Sequence, residues 1–194
     1  MSSGDPETRK RILDKTWRLM EKRKGQGVKI SDVARAAGIS RQAVYLHFGS
    51  RAGLLIATAR HVDETKNLSE RLKAMNTSAN GTEVLEAYID FLGNYIPEIY
   101  GLAKALLAIR ETDQDAAAAW NDRMKDNYEG CRTVIKCLEQ GNLLAPEWNT
   151  NDAADALWAM SSITVWEDLT LERGWSQNEY VNYLKVALKR MLVR

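Results

Sequence analysis

Between Arg41 and Phe48 the chain sets out residue types that read nucleic-acid bases, at a spacing that puts them on one side of a helix. At about 100° per residue, Gln42, Ala43 and Leu46 point away from the side carrying Val44 and Phe48, and Tyr45 and His47 lie on the flanks. A glutamine amide pairs bidentately with adenine, the Arg41 guanidinium suits guanine, and Ala43 and Leu46 can touch thymine methyls. Tyr45, His47 and Arg51 are placed for phosphates, as is the amino end of a helix that starts after Ser50. Any one of these residues alone would be an ordinary surface feature. Together, inside a basic segment, they point to double-stranded DNA.

The charge distribution agrees. The 194-residue chain has a formal net charge of only +1, yet residues 1–60 carry 13 Lys/Arg against 5 Asp/Glu, a net of +8, which leaves −7 on the rest. A basic amino-terminal part on an acidic body fits a polyanionic partner at one end only.

The elements that position these residues read as helix after helix, with almost no strand signal. Thr8 to about Lys24 forms a first helix, ended by Gly25 and Gly27. Ser31–Ala37 forms a second, stopped by Gly38, which accepts a positive φ. Ser40 caps a third through Phe48, and Ser50 caps a long fourth reaching toward Lys73. Val33, Ala34, Ala37, Ile39, Val44 and Phe48 supply the apolar skeleton of a helix-turn-helix. Residues 74–82 read as a flexible linker. Further helices are expected near 83–96, 98–110, 115–140, 152–173 and 177–192, with Pro97 marking one of the turns between them. The expectation is an all-α protein of about nine helices. Residues 1–52 would form a three-helix helix-turn-helix DNA-binding domain and 53–194 a helical effector-binding and dimerisation domain.

The run Val33-Ala34-Arg35-Ala36-Ala37-Gly38-Ile39-Ser40-Arg41-Gln42-Ala43-Val44-Tyr45-Leu46-His47-Phe48-Gly49-Ser50-Arg51 resembles the DNA-binding signature of the tetracycline-repressor (TetR) family of bacterial transcriptional regulators. Arg9 and Ile12-Leu13-Asp14 match that family's first helix, Leu54-Leu55 its fourth, and the resemblance covers about residues 8–60. It implies that Tyr45 and His47 contact phosphates while residues 41–43 and 46 face bases; Ser40 belongs with this set. The chain departs from the pattern at Lys15-Thr16 and at Lys29, where a capping threonine is frequent. Either Lys29 meets a phosphate by charge, or Ser31 caps the second helix.

Beyond residue 80 the apolar pattern carries the argument. Val181, Leu184, Leu188 and Met191 form a seam on the last helix, and the helix before it, with Leu157, Met160 and Thr164, is apolar around much of its circumference. The family resemblance implies that these two helices pair with their copies in a homodimer; the alternative is an ordinary intramolecular core. Three aromatic faces, Tyr88/Phe91/Tyr95, Trp120/Met124/Tyr128 and Trp158/Trp166, could line a cavity for a flat or apolar small-molecule effector, or could be plain core. The reading is a ligand-released homodimeric repressor on a palindromic operator. An activator, or a regulator answering to a protein partner, fits the same sequence.

Other chemistry has little to work with. Cys131 and Cys137 are too few for a disulfide scaffold and read as two buried free thiols. With only His47 and His61, a zinc site is not expected, and no cofactor motif appears. An all-α enzyme would need a general base, and His61, beside Asp63 and Glu64, has no nucleophile near it in sequence. The short polar amino terminus lacks an apolar secretory segment, and no run of about 18 apolar residues occurs, so a cytoplasmic protein without a membrane span is expected.

Overall fold

The computed structural model describes residues 5–23, 26–75 and 80–194, with only the backbone for 74 and 75. Residues 1–4 of the polar amino terminus, Lys24 and Gly25 at the expected end of the first helix, and 76–79 of the expected linker lie outside them. The elements are α1 (Pro6–Arg23), α2 (Ile30–Ala37), α3 (Arg41–Phe48), α4 (Arg51–Thr65), α5 (Leu68–Met75), α6 (Gly81–Leu107), α7 (Gln114–Gln140), α8 (Thr150–Met160), α9 (Ile163–Trp166) with a π-helical stretch Glu167–Glu172, and α10 (Gln177–Leu192). The fold is all-α: no strand occurs among the described residues, only an isolated bridge between Leu144 and Val193. Nor is any described helix long and apolar enough to cross a membrane.

By packing the chain forms two compact units, residues 1–67 with 99–124, and residues 68–98 with 125–194. The stretch expected to bind DNA, 1–52, lies within the first.

In the first unit, α1 and α4 pack closely, and α2 and α3 complete a compact helical head. Ile12, Leu13 and Met20 of α1 are buried, as are Val33, Ala34 and Ala37 of α2, Val44 of α3, and Leu54, Leu55 and Val62 of α4. Gly38 sits in the left-handed region at φ 68°, and its N–H closes α2 onto Ala34 and Arg35 carbonyls, which makes the tight turn into α3. The Ser40 and Ser50 hydroxyls cap α3 and α4 by accepting from the N–H of Ala43 and Gly53. α4 stops at Thr65 rather than running to Lys73: Asn67 takes a φ of 55°, and the chain restarts as α5.

The second unit buries Leu85, Ile89 and Leu92 of α6, Val134, Ile135 and Leu138 of α7, Ala153, Ala154 and Leu157 of α8, and Tyr180, Leu184 and Leu188 of α10. α6 continues past Pro97, where the sequence suggested a turn. Proline has no N–H to offer the carbonyl four residues back, at Gly93. The Gln177 amide donates to that carbonyl instead, and its own oxygen accepts from Trp166 Nε1 at 3.0 Å. Gly93 also lets α10 approach: a Cβ there would lie 2.3 Å from Val181 Cγ2. The helix expected over 152–173 is broken at Ser161–Ser162, where Ser162 caps α9. Cys131 and Cys137 are both free, but only Cys131 is buried; Cys137 is half-exposed, so the expected pair of buried thiols is one.

Candidate nucleic-acid interface

α3 has only eight residues, too few to persist as an isolated helix, so its neighbours fix it. Val44, 1% exposed, is its anchor. Gln42, Arg41 and Tyr45 are exposed, Ala43 and His47 half-exposed, and Leu46 is 82% exposed, a position no monomeric core explains. The outward set expected from helical spacing is thus presented together on one short helix.

Beside it, α2 is preceded by Lys29, extended at φ −91° and ψ 145°, which gives the helix no side-chain cap. Ser31 lies inside the first turn of α2, so it cannot serve as the cap that the sequence left open. An open notch of about 420 Å³ is lined by Lys29, Ser31, Arg41, Tyr45, Arg51 and Asp113. Lys29 and Arg41, whose side chains take no partner among the described residues, together with a phenol and a helix amino end without a side-chain cap, suit a phosphate.

Arg51 is drawn elsewhere. Its guanidinium grips Asp113 with two bonds of 2.7 Å, reaches Asp115 at 3.0 Å, and donates through Nε to the Val28 carbonyl at 2.6 Å. The bonded Arg51 holds the Asp113 carboxyl below its usual range, and Asp113 in turn raises the Arg51 value. Asp113 also accepts from the N–H of Asp115 and Ala116 at the start of α7. Arg51 therefore lines the notch while serving as a tie within the first unit.

Two partners of this site escaped the sequence reading. Asp113 lies in a turn more than 60 residues from Arg51, and only an acidic turn residue ahead of a helix hinted at it. Arg9 matches the family's first helix in sequence, but its bond to the His47 carbonyl at 3.0 Å, 38 residues away, has no local signal. His61 is also accounted for: it pairs with Asp14 at 2.7 Å, joining α4 to α1. Among the described residues no group of three or more His, Cys, Asp or Glu is arranged to hold a metal ion.

The aromatic residues expected around an effector divide between the units. Trp120 and Met124 belong to the first, where Arg110 stacks over the Trp120 ring. In the second, Phe91 stacks on Tyr95 with centroids 5.2 Å apart, and Tyr88 meets Cys131 Sγ at 3.2 Å. Tyr88, Tyr95 and Trp166 are buried, Phe91 and Tyr128 half-exposed, and Trp158 is exposed. Of the residues expected at a dimer seam, Leu157, Val181, Leu184 and Leu188 are used in the chain's own core, Met160 and Met191 are half-buried, and Thr164 is exposed. Tyr183 and Val186 are the large apolar residues that α10 turns outward.

A basic helix-turn-helix head presenting an exposed reading helix defines a DNA-binding protein of the helix-turn-helix class. Residues 12–58 match the model of the family described as bacterial regulatory proteins, tetR family. The helix-turn-helix head is thus a tetR-family DNA-binding segment. Over 43 residues it is 54% identical to the HTH-type transcriptional regulator AlkX of Mycobacterium tuberculosis, an alignment spanning 22% of this chain and 20% of that relative. With the HTH-type transcriptional regulator CymR of Pseudomonas putida it shares 22% identity over 78% of this chain and 73% of the relative. The fold matches a transcriptional regulator from Saccharomonospora viridis, solved in complex with choline, at TM-score 0.75 and 20% identity, covering 98% of this chain and 100% of that one. It also matches the regulator FadR from Bacillus subtilis, solved with stearoyl-CoA, at TM-score 0.74 and 16% identity, covering 93% and 97%.

Proposed function

We propose that this protein is a cytoplasmic homodimeric repressor that binds a palindromic operator and is released by an apolar or aromatic small molecule. The observation that carries the reading is the exposed face of α3 next to the uncapped start of α2. Gln42 and Arg41 read adenine and guanine edges, and Ala43 and Leu46 meet thymine methyls. Lys29, Tyr45 and His47 hold phosphates, and Ser31 and Ser40 line the same approach. Residues 1–52 then serve as the reading domain and 53–194 as the effector and dimer domain.

Dimerisation is supported by the apolar residues that the last helices leave outside: Trp158 on α8, Leu171 on the π-helical stretch, and Tyr183 and Val186 on α10. A two-fold dimer suits two half-sites about 34 Å apart. The ligands of the two structural neighbours, a quaternary ammonium and a long-chain acyl thioester, support an organic effector. The aromatic cluster Tyr88, Phe91 and Tyr95 is where one would enter. Release follows only if the effector binds the DNA-free arrangement more tightly than the DNA-bound one.

Selection from a random duplex pool with the purified full chain tests this reading, followed by stoichiometry on the enriched sequence. An inverted repeat bound by two or four chains is expected. Folded protein that enriches no sequence overturns the proposal.

A further inference from the structure

We infer that Arg9 of α1 is a positioning residue for base reading: it fixes the carboxyl end of α3 without touching a base. The inference rests on the proposed reading role of α3. An eight-residue helix can roll or fray unless both ends are held. The amino end is held by Ser40. At the other end, Gly49 N–H returns to the Tyr45 carbonyl at 2.7 Å, and Arg9 Nη1 donates to the His47 carbonyl at 3.0 Å. The same guanidinium lies 4.5 Å from the centroid of the Phe48 ring, face to cation. One planar group thereby binds both a last-turn carbonyl and the inward-turned aromatic of α3, and its positive charge meets the negative end of the helix.

α1 repeats the device two residues on. Arg11 Nε donates to the Ala37 carbonyl at 3.2 Å, closing the end of α2 as Arg9 closes the end of α3. The start of α1 is itself anchored, since Asp5 accepts from the Thr8 N–H and hydroxyl. The helix that never enters the groove thus sets where both helices of the motif end, and with them the direction of Leu46 and His47. A lysine cannot replace Arg9 here, because an ammonium has no planar face to lay on Phe48 while it donates sideways.

The test measures full-chain Arg9→Met, Arg9→Lys and Phe48→Leu on the enriched duplex and on a scrambled duplex, across a salt series. A positioning role predicts that Arg9→Met and Arg9→Lys both lose about tenfold on the enriched duplex, with scrambled binding and the salt slope unchanged. Phe48→Leu should lose affinity too, and adding Arg9→Lys to it should cost less than in the wild type. If Arg9→Lys restores wild-type binding, or if Arg9→Met weakens both duplexes alike and lowers the salt slope by about one, Arg9 is a phosphate contact and the inference fails. Unchanged binding in both Arg9 variants also overturns it. Should Arg9→Met not fold, Arg9→Lys and Phe48→Leu carry the same decision. A wild-type chain that ignores every duplex removes the reading of α3 itself; a binding wild type with indifferent variants removes only the role of Arg9.

Discussion

Arg51 and Asp113 form a two-pronged ion pair, 2.7 Å at each prong, between the first residue of α4 and the turn that starts α7. Both side chains are about four-fifths buried, so solvent screens the pair weakly, whereas the added bond to the more exposed Asp115 contributes less. Arg51→Met leaves the largely buried Asp113 carboxylate without its main partner and frees the Val28 carbonyl. It should cost about 2–3 kcal/mol in urea unfolding. Asp113→Asn in the Arg51→Met background should cost clearly less than in the wild type. Additive losses would show that the two residues stabilise the unit independently.

The same pair sets an acid limit. The Asp113 carboxyl titrates below its ordinary value because Arg51 binds its charged form, so the folded state holds fewer protons there than the unfolded chain. The resulting stability is present above about pH 4 and is lost as pH falls through the lowered value. At the alkaline side the sign reverses. Burial pushes the Cys131 thiol up to about 11 and raises the Tyr88 phenol, so folding favours their neutral forms. That stability is present below about pH 9 and is lost as pH rises toward 11. Urea midpoints should therefore fall at both ends, with Asp113→Asn flattening the acid arm and Cys131→Ala blunting the alkaline one. Burial raises the Tyr180 phenol as well, so an alkaline arm that is the same in Cys131→Ala would assign it to Tyr88 and Tyr180.

Local signals made the head legible in sequence. Ser40, Ser50 and Gly38 act within three or four residues of themselves, and the alternation of Val44 with Gln42, Ala43 and Leu46 follows from helical period alone. Signals that depend on distant partners were not legible. Pro97 reads as a break because proline removes an N–H, and only Gln177, 84 residues away from the freed Gly93 carbonyl, cancels that loss. Arg51 reads as a free basic residue because Asp113 and Asp115 lie 62 and 64 positions on. The seam of Val181, Leu184 and Leu188 reads as apolar from its spacing, but period cannot say whose core a face enters.

Base reading and phosphate binding separate by their salt dependence. Gln42→Ala should lose about 1–3 kcal/mol at one base position of the enriched duplex and little on a scrambled one. Lys29→Ala should weaken all duplexes alike and lower the salt slope by about one. Titrations of both variants against single-base substitutions at several salt concentrations decide the matter. Equal losses on every duplex for both would mean that Gln42 reads no base.

Tyr183 and Val186 share a face of α10, three residues apart and half-exposed at 46% and 51%, while Leu184 on the opposite side is 1% exposed. Substitutions on the two faces should therefore fail differently. Tyr183→Glu with Val186→Glu puts two carboxylates where we propose an apolar seam between copies, and burying them unpaired is costly. The expected product is a folded monomer, helical by circular dichroism, of half the mass by sedimentation, and weak on an inverted repeat. Leu184→Ala instead opens a void inside one chain and should cost about 2–5 kcal/mol of stability at constant oligomeric state, once concentration is held fixed. A double glutamate variant that still sediments as a dimer would place the seam on another face of the second unit.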